Sequence, residues 1–173
     1  TSNTLELSNV QLEQNNAAYR CKVSNGAKSS FSKYAALHVF GKPTNAPTIL
    51  VLDNWVRALT GGWETQPVTL TATIPAGTKI EGYGELGLRY TLDDGKTWTE
   101  LKSNEPDVIL SENQEYNTTL RVQTYNAKWD SQFQETSCVF QGDMKSPAVK
   151  VEGVPSSWTN KETTLTIKAT DNG

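Results

Sequence analysis

One stretch, residues 86 to 101, constrains the fold of this chain more than any other. Its first half alternates apolar residues with small or polar ones, and the apolar positions are Leu86, Leu88, Tyr90 and Leu92. Asp93-Asp94-Gly95 then supplies turn chemistry, and the return run to Leu101 carries Thr and Trp, which favour strands. The sequence therefore predicts a β-hairpin.

The length of the turn decides which face of the hairpin Trp98 joins. A two-residue turn at Asp94-Gly95 would pair Thr91 with Trp98 and place the indole opposite the leucines. A three-residue turn that ends with Gly95 in the left-handed region, as a bulge, would pair Tyr90 with Trp98 on the apolar face. We expect the three-residue turn, because it gathers Tyr90 and Trp98 on one buried face.

Charge and hydropathy exclude two classes of partner. The chain of 173 residues has 16 Lys and Arg against 19 Asp and Glu, a formal net charge of -3, and its basic residues are scattered. We expect no nucleic-acid partner, since binding to phosphate backbones needs a clustered basic surface. No apolar run approaches the ~20 residues that span a bilayer, so we expect no membrane insertion within this sequence. The sequence begins without Met, so we expect it to be a piece of a longer protein.

Few residues are available for chemistry. The two cysteines, Cys21 and Cys138, are too few for a disulfide framework or a metal cluster. The single His38 lies in an alternating run that points it away from its apolar neighbours, and zinc sites need three or four convergent ligands. We expect neither a metal nor another cofactor.

An internal repeat indicates tandem units. Val39-Phe40 and Pro47 recur as Val139-Phe140 and Pro147, an offset of 100 residues. Trp63, followed by Thr69-Leu70-Thr71, recurs as Trp158, followed by Thr164-Leu165-Thr166, an offset of 95 residues. Units of about one hundred residues explain both offsets, and a short insertion between the first strand and Trp63 explains their difference.

Strand-like runs between residues 43 and 142 complete one such unit. They are residues 48–52, 67–74, 86–101, 107–110, 117–124 and 133–140. Seven or eight strands at roughly 10-residue spacing over ~100 residues is the pattern of a two-sheet β-sandwich. A boundary precedes them, because Gly41 to Pro47 carries two prolines and small polar residues, as linkers between such units do.

Two runs before that boundary carry a family resemblance. Leu5 to Val10 reads Leu-Glu-Leu-Ser-Asn-Val, and Asn15 to Asn25 reads Asn-Asn-Ala-Ala-Tyr-Arg-Cys-Lys-Val-Ser-Asn. Together they resemble the last three strands, E, F and G, of an immunoglobulin-like domain, in which a Tyr two residues before the strand F Cys makes the tyrosine corner and the Cys bridges to strand B. Tyr19 and Cys21 match those positions, which implies structural roles for both. Cys21 is then either unpaired or bonded to residues outside this chain.

The rest of the chain carries a related resemblance. Ser146 to Asp171, with its Val-Pro-Ser-Ser-Trp-Thr-Asn-Lys run, resembles the opening of bacterial immunoglobulin-like repeats in surface proteins of Gram-positive organisms, and so do the central hairpin and residues 112–122. The resemblance implies an all-β chain of tandem immunoglobulin-like β-sandwich modules. Residues 1–42 would be strands E, F and G of one module, residues 43–142 a complete module, and residues 143–173 strands A and B of a third.

The hairpin also matches the Asp-box pattern, Ser/Thr-x-Asp-x-Gly-x-Thr-Trp, of bacterial sialidases. Thr91, Asp93, Gly95 and Trp98 occupy its defining positions. The pattern implies a turn whose Asp93 accepts backbone N–H groups and whose Trp98 packs inward. In sialidases the motif recurs on successive propeller blades and is structural, whereas here it occurs once, so we expect neither a propeller nor catalysis.

Tryptophan residues supply the remaining candidates. Trp63 and Trp158 occupy equivalent places in two modules, so we expect both to pack against the fold. Trp129, in the loop between the last two strands, and Trp55, outside clear alternation, are binding candidates, because exposed Trp stacks on sugars or anchors protein interfaces. The alternative is that they cover module junctions or core edges.

These observations favour a non-enzymatic function. We expect a structural or adhesive repeat of a secreted or surface-attached bacterial protein, acting as a spacer or as an interaction module for a host protein or glycan, with neighbouring immunoglobulin-like modules as partners. The alternative is an accessory carbohydrate-binding module of a secreted glycoside hydrolase, with Trp129 and Trp55 as stacking residues. The partial modules suggest a further hypothesis, in which strand B of one copy pairs with strand E of another.

Overall fold

The computed structural model describes residues 3–52 and 62–171, and in these ranges the protein is almost entirely β. A short 3-10 helix, Leu12–Gln14, precedes strands β1 to β13, and the described ranges contain no α-helix. Every strand pair in the sheets is antiparallel. The predicted all-β class is confirmed.

A three-stranded sheet has the order β5, β6, β9. These strands are Thr48–Leu52, Val68–Thr73 and Pro106–Leu110. Along β6 the buried residues Val68, Leu70 and Ala72 alternate with half-buried Thr. This alternation is what a strand with one face on a core requires.

A four-stranded sheet has the order β11, β10, β7, β8. These strands are Phe133–Asp143, Glu115–Asn126, Leu86–Thr91 and Thr99–Glu100. The pairing of β10 with β11 runs from Glu115 opposite Asp143 to Tyr125 opposite Phe133. β10 therefore lies inside the sheet, with β11 on one side and β7 on the other.

The two sheets share one hydrophobic core. The three-stranded sheet contributes Val68, Leu70, Ala72, Ile109 and Leu110, and the four-stranded sheet contributes Leu88, Tyr90, Leu120, Val122 and Phe140. The Tyr90 hydroxyl also donates a hydrogen bond to Asp107 on β9 at 2.8 Å, which ties one sheet to the other. Burial of apolar side chains between two layers is the main source of stability in such an arrangement.

The two ends of the chain form small, exposed sheets. At the N-terminal end, β1 to β4 are Ala18–Tyr19, Lys22–Ser24, Ser29–Phe31 and Ala35–Ala36, with β1 paired to β4 and β2 to β3. At the C-terminal end, β12 and β13 are Ala148–Glu152 and Thr166–Thr170, paired with each other. Apolar side chains on both ends are exposed, for example Val23 at 66% and Ile167 at 71%.

The strand predicted at residues 5–10 is wrong. The structure has irregular backbone there, although the residues alternate in sequence. A strand is held by ladder hydrogen bonds to a neighbour, and none of the described residues pairs with this run. Alternation without a partner therefore does not produce a strand.

The predicted hairpin is present, but its turn is not the expected one. β7 and β8 pair Arg89 with Glu100 and Tyr90 with Thr99, a register that places Trp98 opposite Thr91. The turn is the two-residue form, because Asp94 and Gly95 have φ values of 59° and 83°, which is the signature of a type I′ turn. That turn matches the right-handed twist of the strands, and Asp-Gly is one of its preferred sequences.

The expectation that Tyr90 and Trp98 share one buried face is therefore wrong. Tyr90 lies in the core with 8% of its surface exposed. Trp98 is half-buried on the opposite face of the sheet, where it stacks on Arg89. The one-residue change of register moved the indole to the other face, as a period of two demands.

The connection between β4 and β5 is built into the central sheets. Isolated bridges join Phe40 to Tyr83 and Pro43 to Ile80. Further along, the Thr124 hydroxyl donates to the carbonyl of Asn45 at 2.5 Å, and the Thr136 hydroxyl donates to the carbonyl of Pro47 at 2.6 Å. Strands β10 and β11 thus hold the second half of the connection, and the loop before β7 holds the first.

Candidate functional site

The outward face of the four-stranded sheet carries a line of stacked side chains. Because successive side chains of a strand point to opposite faces, Arg89 of β7 points away from the core. The register places Gln123 of β10 directly beside it. Trp98, from the hairpin, and Tyr125, two residues further along β10, lie on the same face. We call Trp98, Arg89 and Tyr125 the stacked line.

Arg89 is at the centre of the stacked line. Its guanidinium carbon lies 4.4 Å from the ring centroid of Trp98 and 4.3 Å from that of Tyr125, so two aromatic faces hold the cation. Nε donates to Gln123 Oε1 at 3.0 Å, and Nη2 donates to the carbonyl of Asp130 at 2.9 Å. Desolvation lowers the pKa of Arg89, the Asp130 carboxylate acts in the opposite direction, and the guanidinium stays charged.

A second arginine supports the floor beside the stacked line. Arg121 binds Glu135 through two nitrogens, each 3.0 Å from a carboxylate oxygen, and Gln123 Nε2 donates to the same carboxylate at 2.7 Å. Desolvation raises the pKa of Glu135, but the hydrogen bonds from Arg121 and Gln123 outweigh it and hold the pKa below its usual value. Paired charges and shared hydrogen bonds of this kind fix side-chain positions.

The loop between β10 and β11 is held by the buried amide of Asn126. Its Nδ2 donates to the carbonyls of Gly41 and Tyr83 at 2.9 and 3.0 Å. Its Oδ1 accepts the backbone N–H groups of Glu85 and Lys128 at 3.2 and 3.0 Å. The amide uses both donors and both acceptor positions, so a polar group that is 0% exposed is fully satisfied.

Trp129, a binding candidate from the sequence, lies on this loop. Its ring centroid is 4.8 Å from that of Phe40, with the rings tilted by 33°, and 51% of its surface is exposed. Phe40 in turn contacts Tyr83 edge to face, and Tyr83 lies against His38. Trp129 therefore covers the connection to the N-terminal segment with one side and presents the rest to solvent.

A groove of about 530 Å³ lies between Trp129 and the stacked line. Three aromatic side chains line it, Trp98, Tyr125 and Trp129. The charged side chains at its floor and rim are Arg89, Glu100, Lys128 and Asp130. Concave sites of this size, with aromatic walls and a few polar groups, are typical of small-ligand binding.

The Asp-box turn next to the groove has the expected hydrogen bonds. Asp93 accepts the Thr97 hydroxyl at 2.6 Å, the Thr97 backbone N–H at 2.9 Å and the Thr91 hydroxyl at 2.7 Å. These bonds, those from Thr97 first, lower the pKa of Asp93 to about 2. Gly95 takes the second left-handed position of the turn. The inward packing that the motif implied for Trp98 is wrong, since the indole faces outward.

The other candidate residues are dispersed. Tyr19 is half-buried, and Cys21 is exposed. The thiols of Cys21 and Cys138 are both free. Trp55 lies outside the described residues. Trp63 is half-buried, whereas Trp158 is fully exposed, at 103%, so the packing expected of Trp158 is wrong. Among the described residues, β12 and β13 pair only with each other.

Sequence reasoning missed Arg89, Glu100 and Tyr125. Arg89 carried a usable signal, because it is the one charged residue in the alternating run 86–92, at a position that alternation points away from the core. Glu100 and Tyr125 carried none, because their place in the groove depends on the pairing of β7 with strands on both sides.

In residues 3–52 and 62–171, no group of three or more His, Cys, Asp or Glu side chains is placed to hold a metal ion. Within the same ranges no helix has the length and apolar character needed to cross a membrane.

Comparison of the chain with protein-family models, with curated proteins and with solved structures finds no match.

Proposed function

We propose that this chain is a piece of a tandem array of immunoglobulin-like modules that acts as a non-enzymatic spacer and interaction module of a secreted or surface-attached protein. Strand order supports this proposal. The sheet orders β5-β6-β9 and β11-β10-β7-β8 are those that strands A, B and E and strands G, F, C and C′ of an immunoglobulin-like sandwich would take. The internal repeat of about one hundred residues supports the tandem arrangement.

The junction between the N-terminal segment and the central sheets carries the spacer role. Gly41 is buried so closely against the backbone of Glu81 that a Cβ atom there would lie 1.2 Å from the Glu81 carbonyl oxygen. Glu81 N–H donates to the carbonyl of Lys42 at 3.1 Å, and Tyr83 N–H donates to that of Val39 at 2.7 Å. A flexible linker would make no such bonds, so these contacts support a rigid junction.

Fixed junctions are what a spacer needs. An array of modules joined by flexible linkers collapses to a coil whose reach grows only with the square root of its length. Modules joined by buried glycine, a satisfied Asn126 amide and stacked rings keep their direction from one unit to the next. The same rigidity holds the groove at one position on the array surface.

Hydrogen exchange tests the junction directly. We expect the amides of Glu81 and Tyr83 to be protected in the wild-type chain, and Gly41→Ala to reduce their protection at least about tenfold, because an inserted methyl group forces the two backbones apart. Small-angle scattering should show a more flexible particle for the same variant.

Lys42→Ala is the matched control, because Lys42 is the next residue along, its side chain is exposed, and its backbone bond to Glu81 is kept. It should leave exchange and scattering unchanged. A wild-type junction with unprotected amides, or a Gly41→Ala variant that keeps full protection, would contradict the spacer proposal.

An accessory carbohydrate-binding module is the second candidate, and the groove beside Trp129 is the observation that favours it. Exposed aromatic rings in a concave site offer apolar area together with hydrogen-bonding edges. This candidate and the spacer are compatible, because Trp129 contacts Phe40 of the junction with one side and lines the groove as well.

A further inference from the structure

We propose that the groove between Trp129 and the stacked line binds a neutral oligosaccharide. This inference rests on the proposed role as an interaction module and gives that module a ligand class. The groove volume of about 530 Å³ falls within the ~300 to 1,000 Å³ of typical ligand sites. Of the three rings that line the groove, that of Trp129 is the most exposed, at 51%, and offers its face to the C–H groups of a sugar ring.

The charges of the groove balance. Arg89 and Lys128 contribute two positive charges, and Glu100 and Asp130 contribute two negative ones. Arg89 is also enclosed, since its side chain is 10% exposed and its nitrogens bind Gln123 and Asp130. A strongly anionic or cationic ligand would leave a charge without a partner, which costs free energy in a partly desolvated site. The balance favours a ligand without net charge.

Hydrogen-bonding capacity separates a saccharide from a proline-rich peptide, the other ligand that aromatic grooves accept. Such a peptide offers carbonyl acceptors and few donors, because proline lacks an N–H. These groove groups have the same bias and therefore do not complement such a peptide: the Tyr125 hydroxyl already donates to Glu100 at 3.0 Å, and the carboxylates of Glu100 and Asp130 can only accept. Sugar hydroxyls donate and accept, so they suit these carboxylates as well as the ammonium of Lys128.

The site is formed before any ligand arrives. The floor is fixed by the stacked line, and the rim is fixed by the Asn126 amide, which accepts the Lys128 N–H. Lys128 is placed by Glu85, 3.0 Å from its ammonium, and Trp129 is placed by Phe40. A preformed site loses less conformational entropy on binding, which matters for ligands that bind weakly.

Isothermal titration calorimetry with the whole chain tests the proposal. The neutral probes are cellohexaose, maltohexaose, xylohexaose and chitohexaose, and the comparison probes are sialyllactose, a heparin hexasaccharide and a decaproline peptide. We expect at least one neutral hexasaccharide to bind with a Kd of about 1 mM or lower. We expect the three comparison probes to bind at least about tenfold more weakly.

Two variants locate the site. Trp129→Ala should weaken binding at least about tenfold, as truncation of a central aromatic contact does. Trp158→Ala is the matched control, because Trp158 is fully exposed and lies outside the groove, and it should leave Kd unchanged. Because Trp129 also contacts Phe40, Glu100→Gln provides a second test: it keeps an acceptor for Tyr125, removes the charge, and should weaken binding about threefold or more.

The outcomes are separable from those of the spacer test. No binding of any neutral hexasaccharide at about 10 mM would overturn the inference, and so would binding of only the acidic saccharides or only the peptide. Equal losses in Trp129→Ala and Trp158→Ala would place the ligand elsewhere and overturn it too. In each case the exchange of the Glu81 and Tyr83 amides still reports on the junction.

Discussion

At the residue scale, the geometry of Arg89 depends on the shape of its side chain. A guanidinium is planar, so it stacks between Trp98 and Tyr125 while its edge donates to Gln123 and to the Asp130 carbonyl. A lysine ammonium has the same charge but can neither stack nor reach two acceptors in one plane. Charge alone therefore does not explain this residue.

Arg89→Lys should destabilise the protein by about 2 kcal/mol, because it leaves the Gln123 oxygen and the Asp130 carbonyl without their donor. Thermal unfolding should show a fall of roughly 10 °C for a unit of ~100 residues. Arg121→Lys is the control, since lysine keeps an ion pair with Glu135 and partly exposed pairs contribute about 0.5 kcal/mol. Equal effects of the two substitutions would contradict the stacked line as a structural element.

The stability that the Asp93 carboxylate contributes to the turn depends on pH. Its pKa is lowered to about 2 in the folded protein, from a usual value of 3.8, first by the Thr97 hydroxyl and backbone N–H and then by the Thr91 hydroxyl. Because the folded pKa is the lower one, the stability that Asp93 contributes is present above pH 4 and is lost as the pH falls from about 4 to about 2. Urea unfolding should therefore show the advantage of the wild type over Asp93→Asn shrinking across that window.

A nuclear magnetic resonance titration of the Asp93 carboxyl group supplies the control. Thr97→Val removes the hydroxyl that donates to Asp93 at 2.6 Å, so it should raise the pKa of Asp93 from about 2 towards 3.8. An unchanged pKa in this variant would mean that the hydroxyl is not the cause.

At the scale of elements, the sequence predicted strands well and their partners poorly. The alternation over residues 86–92 identified β7, and the Asp-Gly pair identified a turn, because both are local properties. The register was wrong because it was argued from the preference of Trp98 for a core. The structure offers this indole a cation, Arg89, whose position depends on β10, some thirty residues further along the chain.

The same reason explains the ends of the chain. Residues 5–10 and Trp158 follow patterns that are buried in the central sheets, and here they are irregular or exposed. A β pattern states which side would be buried if a neighbour were present. It does not supply the neighbour, so strand formation depends on what lies beside the segment.

At the scale of the whole molecule, the contacts of residues 41–47 were not predictable from the sequence. Two prolines and small residues predict a connection between units at 41–47, and β5 begins at Thr48. That Gly41 contacts Glu81, and that Asn126 satisfies its carbonyl, depends on residues 40 and 85 positions away. Such contacts follow from tertiary packing, which one sequence does not reveal.

The distribution of buried residues predicts that the central sheets fold without either end. The core cluster of buried hydrophobic side chains runs from Val68 to Phe140, and the fully buried Pro43 lies just before β5. A fragment of residues 39–147 keeps that core and the contacts of Phe40 and Gly41, so its melting temperature should lie within roughly 5 °C of the whole chain. A fragment of residues 75–171 is the control, because it lacks β5 and β6 and exposes one side of the core. It should remain unfolded, and a folded control or an unfolded 39–147 fragment would show that the stability of the molecule does not reside in these two sheets.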